Sequence, residues 1–287
     1  MNLTNKTIIK DLLKRHGAKP EKYLGQHFIL SKKALVQMIA AAKIKKNDTI
    51  IEIGPGLGTL TQELAKTGAK IIAIEKDPLM ISIIKETLAD YKNIKIRCAD
   101  ARQLLIKPTR SRTSGELGIS VGKIGYKIVA NLPYNIATFL IRSFLESENP
   151  PKIMVLMIQK EVAQRICSKP PHMNLLATSV QFLAIAKISN YVPKEMFWPK
   201  PKVDAAIIKI VPKKVTVFQR SLEKQQFFRM VKAGFSQPRK QLIGNLTKKL
   251  NFPKEKLLEI FKKLNIPERA RAENLSLNQW LRLANQL

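Results

Sequence analysis

From Asp48 onward, short apolar runs alternate with longer stretches whose apolar positions recur every three or four residues. Thr49-Ile50-Ile51-Glu52-Ile53 is an unbroken buried-strand run; Gly54-Pro55-Gly56-Leu57-Gly58 follows, and Thr59 opens a helix that ends near Gly68. A second strand spans Lys70 to Ile74 and ends at Glu75, and a helix from Pro78 to about Tyr91 leads to a third strand, Ile94 to Cys98, ending at Asp100. The run Lys127 to Ala130 is a further buried strand, closed by Asn131-Leu132-Pro133-Tyr134. A helix from about Ala137 to Leu145, a strand from Ile153 to Ile158, a helix from Glu161 to Cys167, an apolar segment from Leu175 to Ala186 and a strand from Ala205 to Val211 complete the pattern. Strands that alternate with helices of this length predict parallel βαβ units, hence an α/β sheet.

The flanks read differently. Residues 1 to about 22 form a basic extension with a short helix, Ile8 to Arg15, ended by Gly17 and Pro20. Leu24 to Leu30 is apolar and aromatic but too short and irregular for a core strand. Ser31 is placed to cap a helix reaching about Lys43, with Leu35, Met38, Ile39 and Ala42 on one face. Between Lys107 and Gly125 lies a basic stretch rich in Ser, Thr and Gly, without period, which predicts a surface loop. Beyond Pro212-Lys213-Lys214 the pattern is helical throughout. The expected division is a sheet domain over 1–211 and a small helical domain over 212–287.

Charge narrows the class of partner. The chain has 51 Lys and Arg against 21 Asp and Glu, a net of +30. Such an excess points to a polyanion, nucleic acid first, because each neutralised phosphate releases counterions. From 213 to 287 there are 17 basic and 5 acidic residues, a net of +12, so the helical domain carries its share. Cys98 and Cys167 have no metal-type spacing and the three histidines are isolated, so neither a disulfide framework nor a metal site is expected. No apolar run approaches the roughly 18 residues a membrane span needs, and no signal-peptide pattern opens the chain, so a cytoplasmic protein is expected.

Candidate chemistry collects at strand ends, where ligands bind in open parallel sheets. The glycine turn has the spacing G-x-G-x-G, and Glu52 stands two residues before Gly54. A carboxylate there repels a pyrophosphate and favours a cation, which suits S-adenosylmethionine, with its sulfonium and ammonium, better than a dinucleotide. Gly54 allows close approach because it has no Cβ. Glu75 can accept from two ribose hydroxyls, and Asp100 from an adenine amino group. At the Asn131 strand end, a side-chain amide oxygen can accept from the amino group of a flat heterocycle, Tyr134 can lie against the ring, and Pro133 stiffens the turn.

Taken together, E-I-G-P-G-L-G, N-L-P-Y and Phe197-Trp198-Pro199-Lys200-Pro201-Lys202-Val203-Asp204 resemble the small-subunit ribosomal RNA adenine N6,N6-dimethyltransferases, the family linked to kasugamycin sensitivity in bacteria. Leu24-Gly25-Gln26-His27-Phe28, Gln159-Lys160-Glu161-Val162, Phe235-Ser236-Gln237-Pro238-Arg239-Lys240 and Arg271-Ala272-Glu273-Asn274-Leu275-Ser276 match it in order, from about residue 22 onward. His27 stands where many members have Asn, and Pro238 interrupts what is commonly an arginine pair. The resemblance implies a Rossmann-like class I methyltransferase fold: a mostly parallel seven-stranded sheet with helices on both faces and a small C-terminal helical domain that binds rRNA. It implies donor contacts at His27, Ile29, Gly54, Glu75, Asp100 and Asn131, and a catalytic set of Asn131, Leu132, Pro133, Tyr134 and Phe197. In this set, the Asn131 oxygen and the Leu132 carbonyl hold the target amine while Tyr134 and Phe197 stack on a flipped base. The implied reaction dimethylates two adjacent adenines in the 3'-terminal hairpin loop of small-subunit rRNA, within a pre-ribosomal particle, by a monomer acting late in small-subunit biogenesis. Two alternatives stand beside it: a macrolide-resistance-type methyltransferase of large-subunit rRNA, and a ribosome-assembly or transcription factor that keeps the fold without catalysis.

Overall fold

The first helix, α1 (Lys6–Arg15), starts where the Asn5 side chain accepts a hydrogen bond from Thr7 N at 2.9 Å, satisfying a donor that a helix start leaves free. The structure, a computed structural model, describes residues 1–21, 24–102, 125–213 and 222–286. The basic loop expected over 107–125 therefore lies outside the described residues, Gly125 excepted. After β1 (Phe28–Ile29), Ser31 caps α2 (Lys32–Ala42): its Oγ accepts from Ala34 N at 3.3 Å. Leu35, Met38 and Ala42 of α2 are buried, the face that the apolar spacing predicts.

The chain then alternates as β2 (Thr49–Ile53), α3 (Thr59–Ala65), β3 (Lys70–Glu75), α4 (Pro78–Thr87), β4 (Ile94–Cys98), β5 (Lys127–Asn131), α5 (Ala137–Glu146), β6 (Ile153–Gln159), α6 (Lys160–Ile166), α7 (Leu175–Leu183), β7 (Ala184–Val192), β8 (Phe197–Trp198) and β9 (Ala205–Pro212). Seven strands form one sheet in the order β4-β3-β2-β5-β6-β9-β7, and β1 and β8 form a separate antiparallel pair. Strands β2 to β6 run parallel to their neighbours, whereas β9 runs antiparallel to β6. The chain works outward from β2 to β4 and then returns to the other side of β2 with β5. That reversal makes the β2–β5 boundary the switch point, where a crevice opens beyond the strand ends. The glycine turn follows β2 and Asn131 ends β5, so both border the crevice.

The strands' uninterrupted Ile and Val content reflects burial on both faces. Ile50, Ile71, Val129, Val155, Met157 and Ile207 pack with Leu35 and Met38 of α2 in one cluster. One charge is drawn into this region: Lys127, 9% exposed, donates from Nζ to the carbonyls of Ala42 (3.1 Å) and Lys43 (2.6 Å) at the end of α2 and pairs with Asp48 at 2.7 Å. A cation at a helix C-terminus meets carbonyls that have no helical partner, which is why a lysine is tolerated there.

The chain divides into two compact units, Met1–Ala163 with Lys187–Pro212, and Gln164–Ala186 with Lys213–Leu287. The segment 164–186, which the sequence pattern leaves with the sheet, thus groups with the helical part. Within that second unit are α8 (Leu222–Gly234), α9 (Leu242–Leu250), α10 (Lys254–Lys263) and α11 (Leu277–Ala284), around buried Phe227, Phe261 and Trp280. Gly234 ends α8 against the Trp280 ring, which leaves no room for a Cβ. A bridge between Gln241 and Arg271, with Leu242 N donating to Ala270 O at 2.8 Å, brings the two late sequence motifs side by side. Arg239, Lys240, Arg269 and Arg271, close to that pairing in sequence, are exposed. Among the described residues no helix is long and apolar enough to cross a membrane.

Candidate active site

Backbone geometry builds the crevice before any side chain enters. Gly54 and Gly56 take φ of 67° and 57°, the left-handed region that side chains disfavour, and so turn the chain off β2 sharply. Pro133 packs beside Gly54, where a Cβ would sit 3.6 Å from its ring. The cavity so formed is about 300 Å³, the lower end of small-molecule sites. His27, Ile29, Gly54, Glu75, Asp100, Asn131, Leu132, Pro133 and Tyr134 all line it. Residues more than a hundred positions apart in sequence therefore converge, all within the first unit.

Asn131 is held by one end. Its Nδ2 donates to the His27 carbonyl at 3.3 Å, which orients the amide and leaves Oδ1 as the end free to accept. The His27 ring is fixed in turn: Nδ1 lies 2.7 Å from the Pro199 carbonyl, so Nδ1 carries the hydrogen and Nε2 is an acceptor in the neutral ring. That ring stacks on Tyr134 with centroids 5.8 Å apart and planes at 29°. The Tyr134 hydroxyl is buried without a hydrogen-bond partner, and burial, reinforced by the charge of Asp204, pushes its pKa up to about 12. Tyr134 is thus a neutral aromatic wall rather than a base.

Three carboxyls face the cavity and differ in environment. Glu75 accepts from the backbone N–H of Lys76 (2.7 Å), Asp77 (3.0 Å) and Gly56 (3.1 Å); burial raises its pKa, and these three donors oppose the rise. Asp100 is held well below the usual carboxylate range, first by the Arg102 guanidinium, which binds both its oxygens, with Lys76 at 3.2 Å from Oδ2. Glu52 is 1% exposed, and one of its oxygens has no hydrogen-bond partner. Burial pushes its pKa up to about 8; the neighbouring Thr61 hydroxyl opposes the rise and the Glu75 charge adds to it. Glu52 is therefore uncharged near neutrality, where its position alone predicts a carboxylate.

Phe197 is not brought to the cavity. It pairs with Ile29 across β1 and β8, is 3% exposed, and packs into the cluster of Leu35, Met38 and Met157. Successive residues of a strand face opposite ways, so it is Trp198 that turns toward Phe28, at 6.3 Å, with Lys10 Nζ 5.8 Å from its ring. Of the two rings expected to meet a base, the structure thus places Tyr134, backed by His27, on the cavity, and Phe197 behind it in the core. The sequence reading also passes over Gln26, Lys76 and Arg102, which line the cavity. Their signal was proximity: Lys76 follows Glu75 directly and Arg102 stands two residues after Asp100.

The cavity fits S-adenosylmethionine on its own features. A bare-backbone glycine turn borders it, acidic groups stand at the ends of β2, β3 and β4, and a buried acid oxygen is left without a partner. Such a set suits a cation joined to a nucleoside and opposes an anionic phosphate.

Comparison with known proteins agrees with this chemistry. The model of the family described as ribosomal RNA adenine dimethylase matches residues 17–287. A ribosomal RNA small subunit methyltransferase A of Dehalococcoides mccartyi is 37% identical, with 96% of this chain and 90% of the relative covered. The protein of the same name from Enterococcus faecalis is 36% identical over 97% of this chain and 94% of its own length. Among solved structures, a dimethyladenosine transferase from Plasmodium falciparum superposes with a TM-score of 0.71 at 28% identity, covering 90% of this chain and 96% of that one. The 23S rRNA methyltransferase ErmE, 22% identical and covering 91% of this chain and 99% of its own, has the same TM-score and shares the fold. With a match that runs from residue 17 to the last residue and a donor cavity where the strand order reverses, this chain belongs to the ribosomal RNA adenine dimethylase family.

Proposed function

We propose that this chain transfers methyl groups from S-adenosylmethionine to N6 of two adjacent adenines in the 3'-terminal loop of small-subunit rRNA, acting in the cytoplasm as a monomer on a pre-ribosomal particle. The observation that carries the reading is the tethered amide: Asn131 has its nitrogen bound to the His27 carbonyl and its oxygen free to accept, in a cavity that Tyr134 also lines. When bound, the donor supplies an electrophilic methyl on a sulfonium. His27, Ile29, Gly54, Glu75, Asp100 and Asn131 are the residues that would hold it.

The chain's own groups address the harder problem. The N6 lone pair of adenine is delocalised into the ring, so the amine is a poor nucleophile. Hydrogen bonds from N6 to Asn131 Oδ1 and to the Leu132 carbonyl favour a pyramidal nitrogen and localise the lone pair. Tyr134 holds the extracted base by stacking, worth about 1–3 kcal/mol, against an extraction cost of a few kcal/mol. The methylated nitrogen then releases its proton to solvent. In the second unit, the exposed Arg239, Lys240, Arg269 and Arg271 supply phosphate contacts that orient the enzyme on its particle.

Purified protein with methyl-tritiated donor is expected to label unmethylated small-subunit particles and to give dimethyladenosine. Label confined to large-subunit RNA would instead place the chain with the macrolide-resistance methyltransferases, and no label with either particle would leave it an assembly factor. Asn131→Ala is expected to slow labelling by roughly a hundredfold or more while particle binding persists. Labelling by that variant at the wild-type rate would remove the role given to the amide.

A further inference from the structure

Glu52 is a buried acid of the cavity that has no part in the methyl-transfer step and is not among the residues assigned above to hold the donor. It stands at the penultimate position of β2, lines the cavity directly beneath the glycine turn, is 1% exposed, and has a carboxyl oxygen with no partner. The Thr61 hydroxyl beside it is equally buried and opposes the rise in the acid's pKa, but the two do not reach the geometry of a full hydrogen bond. A buried polar atom left unpaired costs about 1–3 kcal/mol, so its persistence next to a ligand cavity points to a partner that arrives with the ligand. Hydrogen-bond donors already surround Glu75 and cations already hold Asp100. Of the three cavity acids, Glu52 alone has an unanswered oxygen among the described residues.

We propose that Glu52 couples donor binding to proton release: its carboxyl keeps its proton while the cavity holds no cation and surrenders it to solvent when the ligand's positive charge comes to rest beside it. The exchange balances, since one proton leaves as one cation enters, and the buried region gains a paired charge rather than a lone one. Two negative charges at Glu52 and Glu75 without a cation would be unfavourable at this burial, which is the physical reason for keeping the proton in the free state. The pKa of about 8 for Glu52 agrees with this arrangement. The mechanism also favours a cationic ligand over an uncharged analogue of the same shape, because only the cation offsets the ionised carboxyl. This proposal rests on the assignment of the cavity to S-adenosylmethionine.

Other titratable or charged groups face the same space: His27 from the segment before β1, Glu75 and Lys76 from the end of β3, Asp100 and Arg102 from the end of β4, and Tyr134 from the turn after β5. All of them remain in Glu52→Gln, as does the amine of the donor, so the difference between the two proteins isolates Glu52.

The test is calorimetric titration of the full chain with S-adenosylmethionine at pH 7 in buffers of different ionisation enthalpy, repeated from pH 6 to 7.5. The wild type is expected to release roughly 0.5–0.9 proton more per donor bound than Glu52→Gln, and its affinity to rise up to about tenfold per pH unit relative to that variant. Glu52→Asp, which keeps a carboxyl, is expected to retain the release. Binding by wild type without proton release, or with the same release in Glu52→Gln, overturns the proposal and leaves the site assignment standing. Absence of any binding heat or donor-induced thermal shift overturns the site assignment and the proposal with it. If Glu52→Gln does not fold, the wild-type proton count alone decides: a count of zero sinks the idea, and Glu52→Asp supplies the comparison.

Discussion

The same glutamate that faces the cavity is a liability to the free fold, and the sign of that effect can be worked out. The pKa of Glu52 in the folded chain, about 8, lies above the ordinary value of 4.5. Below about pH 4.5 the acid is protonated in both states and imposes no penalty. As pH rises, the unfolded chain ionises first while the folded chain holds its proton, so stability falls until the pH passes about 8 and is then flat. Glu52→Gln is therefore expected to melt at a higher temperature than the wild type at pH 8.5, with a gain of up to roughly 3–5 kcal/mol, and the gain should shrink toward pH 4.5. Paired melting curves at the two pH values check this; equal melting temperatures at pH 8.5 would show that Glu52 is not held uncharged. Asn131, Glu75 and Asp100 illustrate what was legible at this scale. Each is a polar residue closing an apolar run, and strand ends are where ligands bind. Whether Glu52 carries its charge was not legible, because burial and an unpaired oxygen are properties of the packed chain.

Elements were legible in proportion to how strongly their own residues specify them. Thr49–Ile53 and Ile94–Cys98 were readable to the residue, since an Ile-rich run between turn residues has few other solutions. Strand β7 was not. It follows α7 with no Gly, Pro or Asx between Leu183 and Ala184, so nothing in the sequence marks the change from helix to strand. Its outward residues include Ile185, 65% exposed, which blurs the alternation an edge strand should show. The two-residue pair of β1 and β8 is shorter still, and only partners 168 and 170 positions apart reveal it. That pair sets where the Phe197 ring packs. Register with Ile29 sends the ring into the core, so Phe197→Ala is expected to cost about 3–5 kcal/mol of stability through the cavity it leaves. Calorimetry of the unfolding transition distinguishes this from a ring that only stacks on substrate, whose loss would leave the transition nearly unmoved.

At the scale of the whole molecule, the outstanding property is a net charge of +30 in 287 residues. A single catalytic cavity has no use for so much positive charge, and this one holds three acids against Lys76 and Arg102. The charge belongs to surfaces that meet phosphate. In the second unit, the bridge between Gln241 and Arg271 sets Arg239 and Lys240 near Arg271, all exposed, and among the described residues Arg271 meets a carboxylate only at 3.8 Å, from Glu273. An exposed ion pair at that length contributes little, so these side chains are available to RNA. Each phosphate neutralised should contribute about 0.7–0.9 to the slope of log affinity against log salt. The triple variant Arg239→Gln, Lys240→Gln, Arg271→Gln is therefore expected to bind rRNA with a slope smaller by about 2–3, while its affinity for S-adenosylmethionine, bound within the first unit, stays that of the wild type. Filter binding of labelled rRNA from 50 to 300 mM salt measures the slope, and donor titration supplies the control. An unchanged slope would mean that the two late motifs serve packing alone and that phosphate is met elsewhere. A slope and a donor affinity that both fell would mean that the variant damages the fold rather than a contact.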